Sequence, residues 1–497
     1  MTTEDRVKLA DYVIDECKRG RMLGPFLIDG EFLYLGESVV CIPVGAVIKD
    51  VVDRNHFSYR GGTKLSVNDG IPDEFAALNL PKFLDVVRMV YSMGPGAFIW
   101  KLDWKSAYRQ VMVRKEDRHL QGLHFEGFRF IDGYQPFGSR ESGYNFDEGY
   151  AKLFAWILVH ERPDLFSPTD TKWVLNFIDD FFGGHPQFSA AKEQLDFALK
   201  RAVELGVVIK PKKVHQPAVV QSLLGLEYDT VKQETRVPTE KVSKYLTHVN
   251  DILSGRLSHC TKGYLEKLYG RLLYASHVVR TGKAFLMRLY LLKECKRHVR
   301  QTIDLSRNRT TVAAALADLR WWRSNFIRQN SLSFKDALGL LPRIDVWTDA
   351  SGTLGIGGFS RQRFFSVPWS LLPKPPTRKQ DIHWKELLAV VAACHLWGAY
   401  WRGHAIHLFI DNSVAEAAVR RRWSGCRDLA PMVRWLATRE QTHGFRFVTH
   451  LIKSEENALA DSLSRLDTSL FCNRVLNPFD DSGRLGLGRV LREAKTL

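Results

Sequence analysis

The run Phe177-Ile178-Asp179-Asp180-Phe181-Phe182-Gly183-Gly184 constrains this chain more than any other segment. Two adjacent acids lie between apolar pairs, which reads as a tight hairpin of two buried strands with carboxylates at the turn. Burying one unpaired carboxylate is costly, and two side by side repel each other. A bound divalent cation relieves both problems. A third acid, Asp103, ends the apolar strand Ala97-Phe98-Ile99-Trp100-Lys101-Leu102-Asp103. One acid after a strand and an acid pair on a hairpin meet the needs of a two-metal phosphoryl-transfer centre.

The 497 residues suffice for about three domains. The apolar runs are too short to span a bilayer, and the polar N-terminus lacks a signal-peptide core. The sequence therefore predicts an intracellular protein, cytoplasmic or nuclear, with no membrane partner. Net charge is +16, which favours a polyanionic partner. Between Lys241 and Gln329, 18 lysines and arginines face only 5 acids, so the excess concentrates in one helical stretch. That stretch predicts a duplex-binding surface. The 7 cysteines form no Cys-x-x-Cys pair, so neither structural zinc nor a disulfide framework is implied.

Periodicity predicts a helix over Ser189 to Leu205 and another over Thr311 to Arg328. From Thr239 the pattern is strongly helical. Alternation returns at Ile344-Asp345-Val346-Trp347, the expected first strand of a last domain. There is no internal repeat. Asp481-Ser482-Gly483 reads as a turn in a C-terminal tail.

Around the first acids the chain resembles a reverse transcriptase. Lys101-Leu102-Asp103-Trp104-Lys105-Ser106-Ala107-Tyr108 looks like that family's first palm motif, and Phe177-Ile178-Asp179-Asp180 matches its aromatic-x-Asp-Asp motif. The resemblance implies that Asp103, Asp179 and Asp180 hold two magnesium ions and that Tyr108 is a steric gate against ribose. Gln135-Pro136-Phe137-Gly138 resembles the loop under the incoming nucleotide, so Phe137 and Gly138 are substrate-binding candidates. The next residues, Ser139 to Phe146, depart from the family by lacking its small-residue-plus-proline signature. Leu224-Gly225-Leu226 looks like the primer grip. Lys210-Pro211-Lys212-Lys213 sits where the family carries a lysine near the triphosphate. Lys212 and Lys213 both fit, and Lys213 is taken as the candidate. Lys49 and Arg54 are the candidate fingers cations.

A second set of acids follows. Asp349 ends a strand, Glu386 lies near the start of an apolar helix, Asp411 ends the strand Ile406 to Ile410, and Asp461 follows Asn457-Ala458-Leu459-Ala460. Singly, each is better explained as a surface or capping residue. In this order, with these neighbours, they resemble the ribonuclease H domain of retroelements, whose acids also bind two magnesium ions. His450 lies where some relatives carry a helper histidine, but it reads as an ordinary strand residue.

Tyr264 to Ala275, Val278 to Leu286 and Asp318-Leu319-Arg320-Trp321-Trp322 look like retrotransposons that pair a reverse transcriptase with a tyrosine recombinase, the DIRS group. The resemblance implies a multidomain α/β fold: a right-hand polymerase of fingers, palm and helical thumb, then an RNase H-like domain. The implied parts are fingers and palm at 1–235, thumb at 236–300, a helical linker at 301–342, the RNase H domain at 343–467 and a tail at 468–497. The implied activity is RNA- and DNA-templated DNA synthesis with cleavage of the RNA strand of a hybrid. The implied cofactor is Mg2+, two ions per active site, with Mn2+ able to substitute. The implied partners are primer-template duplex, RNA/DNA hybrid and deoxynucleoside triphosphates. The rival reading is a domesticated, non-catalytic nucleic-acid-binding relative.

Overall fold

The structure, a computed structural model, describes residues 3–27, 30–42, 44–47, 52–55, 66–168, 171–295, 301–306, 310–361, 363–375, 381–471, 477–478 and 486–496. The chain divides into two compact units. One is Met1–Leu224 with Tyr228–Gln233, and the other is Gly225–Glu227 with Glu234–Leu497.

The first unit is organised by an antiparallel sheet in the order Val174–Phe177, Asp180–His185, Phe98–Asp103, His215–Ala218. One face of its strands is apolar because Trp100, Leu102 and Phe181 enter one core with Phe154, Leu195 and Ala198. The helix Phe188–Glu204 backs the sheet, within a residue of the stretch its periodicity predicts. Trp100 Nε1 donates to buried Gln194 Oε1 at 2.8 Å, and Gln194 Nε2 donates to the Leu165 carbonyl at 2.6 Å. This satisfies the polar atoms that so apolar a core would otherwise strand. Gly183 and Gly184 belong to the return strand itself. A Cβ on Gly183 would lie 2.6 Å from the Trp100 ring, and one on Gly184 would lie 2.6 Å from the Phe98 carbonyl. The glycines thus let the hairpin press against the strand that carries Asp103.

A second sheet of this unit runs Met22–Phe26, Phe128–Asp132, Gly122–Phe125, Cys41–Ile42. The helix Thr3–Lys18 docks Leu9 and Val13 beside Met22, Leu123 and Phe130. Buried Arg109 ties the two together by pairing with Glu16 at 2.6 Å and with Asp132.

The second unit joins helices Thr239–Leu253, Lys262–Ala275, Met287–Glu294 and Thr310–Asn325 to a six-stranded sheet. The sheet order is Arg446–Leu451, Ala405–Ile410, Arg343–Ala350, Gly355–Ser360, Arg363–Pro368, Asn477–Pro478. The first three strands are parallel, and the Arg343–Pro368 stretch forms an antiparallel meander. Helix Asp381–Trp397 packs on this sheet and is buried all round, with every residue from Leu387 to Cys394 at most 1% exposed. That explains why it reads as a continuous apolar run and not as a stripe.

Two motifs singled out in the sequence meet here. Gly282 lies against Trp322, where a Cβ would come within 2.4 Å of the indole. Trp322 Nε1 donates to the Phe285 carbonyl at 3.1 Å, and Trp321 stacks on Phe285 at 4.3 Å. Buried Asp318 accepts from the Arg288 backbone N–H at 3.1 Å and pairs with its guanidinium at 3.2 Å. The helical stretch is also bound to the sheet subdomain, by Thr281 Oγ1 donating to the Ala437 carbonyl at 3.3 Å and by Arg446 pairing with Asp336 at 3.8 Å. The compact division therefore keeps the helices between Thr239 and Asn325 and the six-stranded sheet in one body. Several cations of the basic stretch serve this internal bonding: Arg280 pairs with Asp336 and Arg288 with Asp318, while Lys262 and Lys293 pair with Glu294. The charge excess thus overstates what is left for a partner.

The C-terminal segment adds the strand Asn477–Pro478 and the helix Leu487–Thr496. This helix buries Leu487, Val490 and Ala494 in the sheet subdomain's core. Asp481 to Gly483 lie outside the described residues. Among the described residues no helix is long and apolar enough to cross a membrane.

Candidate active sites

In the first unit, the hairpin register sets Asp180 directly across from Asp103. Asp179 sits in the turn after Ile178, whose φ of 54° makes the chain reverse within two residues. The Trp104 backbone N–H donates to the Asp179 carbonyl at 2.9 Å, and the Lys210 N–H donates to the Asp103 carbonyl at 2.9 Å. Main-chain bonds thus gather the three acids and the Lys210–Lys213 turn.

Asp103 is 2% exposed, and an ammonium stands on each of its oxygens, Lys210 at 2.6 Å from Oδ1 and Lys213 at 2.6 Å from Oδ2. Lys210 also lies 3.9 Å from Asp179, and Lys101 lies 3.0 Å from Asp180. Burial raises the Asp179 pKa, and the charges of Asp103 and Asp180 raise it further. The hydrogen bond to Asp103 raises that of Lys213. Lys210 and Lys101 escaped the sequence reading. The signal for Lys210 was its place three residues before Lys213, one turn of the 3-10 helix Pro211–Lys213 away.

Tyr108 is half-buried, its ring 5.1 Å from Phe137 and 5.7 Å from Phe146. Burial raises its pKa, followed by the charges of Asp179 and Asp147. Gly138 has a φ of 114°, and its carbonyl accepts from Asn68 Nδ2 at 3.0 Å. Asn68 Oδ1 accepts from the Arg140 N–H at 2.9 Å, so one amide pins this loop on both sides. A groove of about 970 Å³ runs alongside, lined by Ser66, Ile71, Met112, Gln135, Ser139 and Tyr144. It does not include the three acids.

Arg54 lies in the strand Val52–Asn55, and Lys49 lies outside the described residues. Leu224 and Gly225 have φ of 48° and 83°, forming the turn between strands Val220–Leu223 and Leu226–Asp229, where the chain passes from one unit to the other. The Gly225 carbonyl accepts from Lys241 Nζ at 3.0 Å.

In the second unit, oxygens of Asp349, Glu386 and Asp411 all lie within 4.8 Å of one another. It is the only such group among the described residues. Asp349 comes from a central strand, Glu386 from the buried helix and Asp411 from the residue just after a parallel strand. Asp461 stands in the helix Ala458–Ser464, paired with Arg465 at 2.8 Å. It is outside the trio but close enough for its charge to push up the pKa of both Asp349 and Glu386. Burial, aided by Asp411, raises Asp349 to about 6. Burial, then the charges of Asp349 and Asp411, raises Glu386 to about 10. Glu386 Oε2 is buried without a hydrogen-bond partner. Converging carboxylate oxygens, one of them buried without a hydrogen-bond donor, fit a hard divalent cation.

Asn457 was missed as a member of this site. Buried at 1%, it donates through Nδ2 to the Thr348 carbonyl at 3.1 Å and to Asp349 Oδ1 at 3.3 Å. His450 instead pairs with His407, Nε2 to Nδ1 at 2.9 Å, and stacks on Phe409.

Gly357 is what lets the Asp461 helix reach the sheet, since a Cβ there would lie 2.4 Å from the Ser464 nitrogen and 2.5 Å from Leu463 Cβ. Gly357→Ala should push this helix off the strand. The expected loss of stability is about 1–3 kcal/mol, measured by urea unfolding.

No family model and no curated protein sequence matches the chain. Solved structures do. A foamy viral protease-reverse transcriptase dRH with double-stranded DNA aligns with a TM-score of 0.51 and 13% identity, over 90% of this chain and 70% of that one. The foamy viral protease-reverse transcriptase with an RNA/DNA hybrid aligns with a TM-score of 0.52 and 14% identity, over 90% of this chain and 54% of that one. At such identities the likeness speaks for architecture alone. Across nine-tenths of its length this chain has the mixed α/β fold of reverse transcriptase structures.

Proposed function

We propose that the protein is a divalent-metal-dependent reverse transcriptase that also cuts the RNA strand of hybrids. The observation that carries this reading is that each compact unit of a reverse-transcriptase-like fold gathers its own set of acids, in the first around a hairpin and in the second from two strands and a helix. Asp103, Asp179 and Asp180 would hold the ions of synthesis. Asp349, Glu386, Asp411 and Asp461 would hold those of cleavage. All donors are carboxylate oxygens, which suits Mg2+, with Mn2+ as substitute. When bound, the ions supply charge stabilisation to phosphoryl transfer.

The chain's own residues do the rest. The main-chain bonds around Asp103 and Asp179 fix the donors before substrate arrives. Tyr108 and Phe137 wall the place of the sugar, and Asn68 holds the Gly138 loop. Lys213 is placed to give a proton to the leaving pyrophosphate, because its bond to Asp103 keeps it charged. Lys49 and Arg54 remain candidates for the triphosphate, and Leu224, Gly225 and Leu226 for the primer grip. In the second centre Asn457 orients Asp349.

The functional divisions proposed are those expected from the sequence: fingers and palm to 235, thumb to 300, linker to 342 and RNase H domain to 467. The DIRS group is the proposed kinship, supported by the packing of Gly282 and Phe285 of the Val278–Leu286 motif against Trp322.

Full-length protein should extend oligo(dT) on poly(rA) with Mg2+ and cleave a labelled RNA/DNA hybrid. Hybrid affinity should drop by roughly 10³-fold or more between 50 and 200 mM salt, because phosphates dominate such contacts. Hybrid binding without incorporation would replace this reading with that of a non-catalytic binding protein.

A further inference from the structure

The two sets of acids differ in what neutralises them. In the first unit three carboxylates face three lysines: Asp103 pairs with Lys210 and Lys213, Asp180 pairs with Lys101, and Asp179 is approached by Lys210. In the second unit, among the described residues, Arg465 pairs with Asp461, but no lysine or arginine pairs with Asp349, Glu386 or Asp411. Three of the four acids of the second unit converge within 4.8 Å, whereas among the described residues those of the first form no such group.

Lys210 differs from the other two lysines because its ammonium lies near two acids at once, 2.6 Å from Asp103 Oδ1 and 3.9 Å from Asp179 Oδ2. That is the space a cation shared by these carboxylates would need. Its backbone is fixed by the N–H donated to the Asp103 carbonyl and by the neighbouring Trp104–Ile209 bridge. Its side chain is one-third exposed, so the ammonium can leave along solvent without unpacking the core.

We propose that Lys210 is a resident counter-ion of the polymerase centre, bridging Asp103 and Asp179 until a divalent cation displaces it, so that this centre binds metal more weakly than the RNase H-like one. The inference rests on reading both sets of acids as metal centres. Two opposite charges at contact distance near a protein surface attract strongly, and an incoming cation must first exceed that attraction. In the second centre no ammonium or guanidinium pairs with Asp349, Glu386 or Asp411 among the described residues, and Arg465 pairs with Asp461, outside that trio.

The test is Mn2+ binding to the full-length protein without nucleic acid, read by the electron paramagnetic resonance of free Mn2+. Two affinity classes are expected, the tighter lost in Asp349→Asn and the weaker lost in Asp179→Asn. Lys210→Met and Lys210→Gln should each tighten the weaker class by roughly tenfold or more, while Lys210→Arg should not. A weaker class that is unchanged or loosened in both neutral variants overturns the proposal. So does a wild-type protein in which the class lost in Asp179→Asn is the tighter one. Failure of the polymerase reading would look different: the Mn2+ shifts would be present, but wild-type protein at saturating metal would not extend a primer.

Discussion

Asp179→Asn should reduce primer extension by about 10³-fold or more and leave hybrid cleavage within about twofold of the parent. The exchange keeps the shape of the side chain and removes one anionic oxygen donor. The turn should survive it, because the Trp104 N–H bonds to the main-chain carbonyl of Asp179 and not to its side chain. Asparagine also removes a carboxylate strained by burial and by the charges of Asp103 and Asp180. The variant should therefore melt no lower than the parent. Asp411→Asn should show the converse, with cleavage lost and synthesis kept. Single-turnover assays of both activities on each variant decide the matter. If either substitution removed both activities, the two-centre reading would fail.

Glu386→Gln should abolish cleavage and, in metal-free buffer, stabilise the protein. The sign follows from the raised pKa of about 10. At neutral pH the unfolded chain has this group ionised, while the folded protein holds it protonated. The folded state therefore binds the extra proton, and stability falls as pH rises from the unfolded value near 4.5 toward the folded one. Glutamine carries no such penalty. At pH 7 the expected gain is on the order of 2–3 kcal/mol, shrinking to nothing near pH 4.5. Asp349, raised to about 6, adds a smaller loss between pH 4 and 6 in the parent. Adding Mg2+ should reverse the order, stabilising the parent more than Glu386→Gln, and more at pH 8 than at pH 5, because metal and protons compete for the same oxygens. Urea unfolding at several pH values, with Mg2+ and with chelator, measures all of this. A parent that stays as stable as the variant from pH 5 to 8 without metal would show that Glu386 is not held in the environment described.

The acids themselves were legible because two carboxylates inside an apolar run contradict the ordinary economy of a core, and few arrangements tolerate them. Helix spans such as Phe188–Glu204 and Thr310–Asn325 were legible within a few residues because the buried stripe repeats with the helical period. The companions of the acids were not. Lys210, Lys101, Asn68 and Asn457 carry no periodic signal, and each acts on a residue met only through folding. Gly357 reads as a plain strand glycine until the helix that crosses it is known.

Local order along the chain thus determined which acids stand on strands, turns and helices and in what succession, since hydropathy and periodicity act over a few neighbours. Which cations answer those charges was decided only in three dimensions. Lys213 and Asp103 are 110 positions apart, Asn457 and Asp349 are 108 apart, and nothing in a one-dimensional pattern fixes distances of 3 Å across such gaps. Sheet register and close packing over glycine do so, because they convert remote positions into contacts whose electrostatics then set protonation, metal affinity and stability.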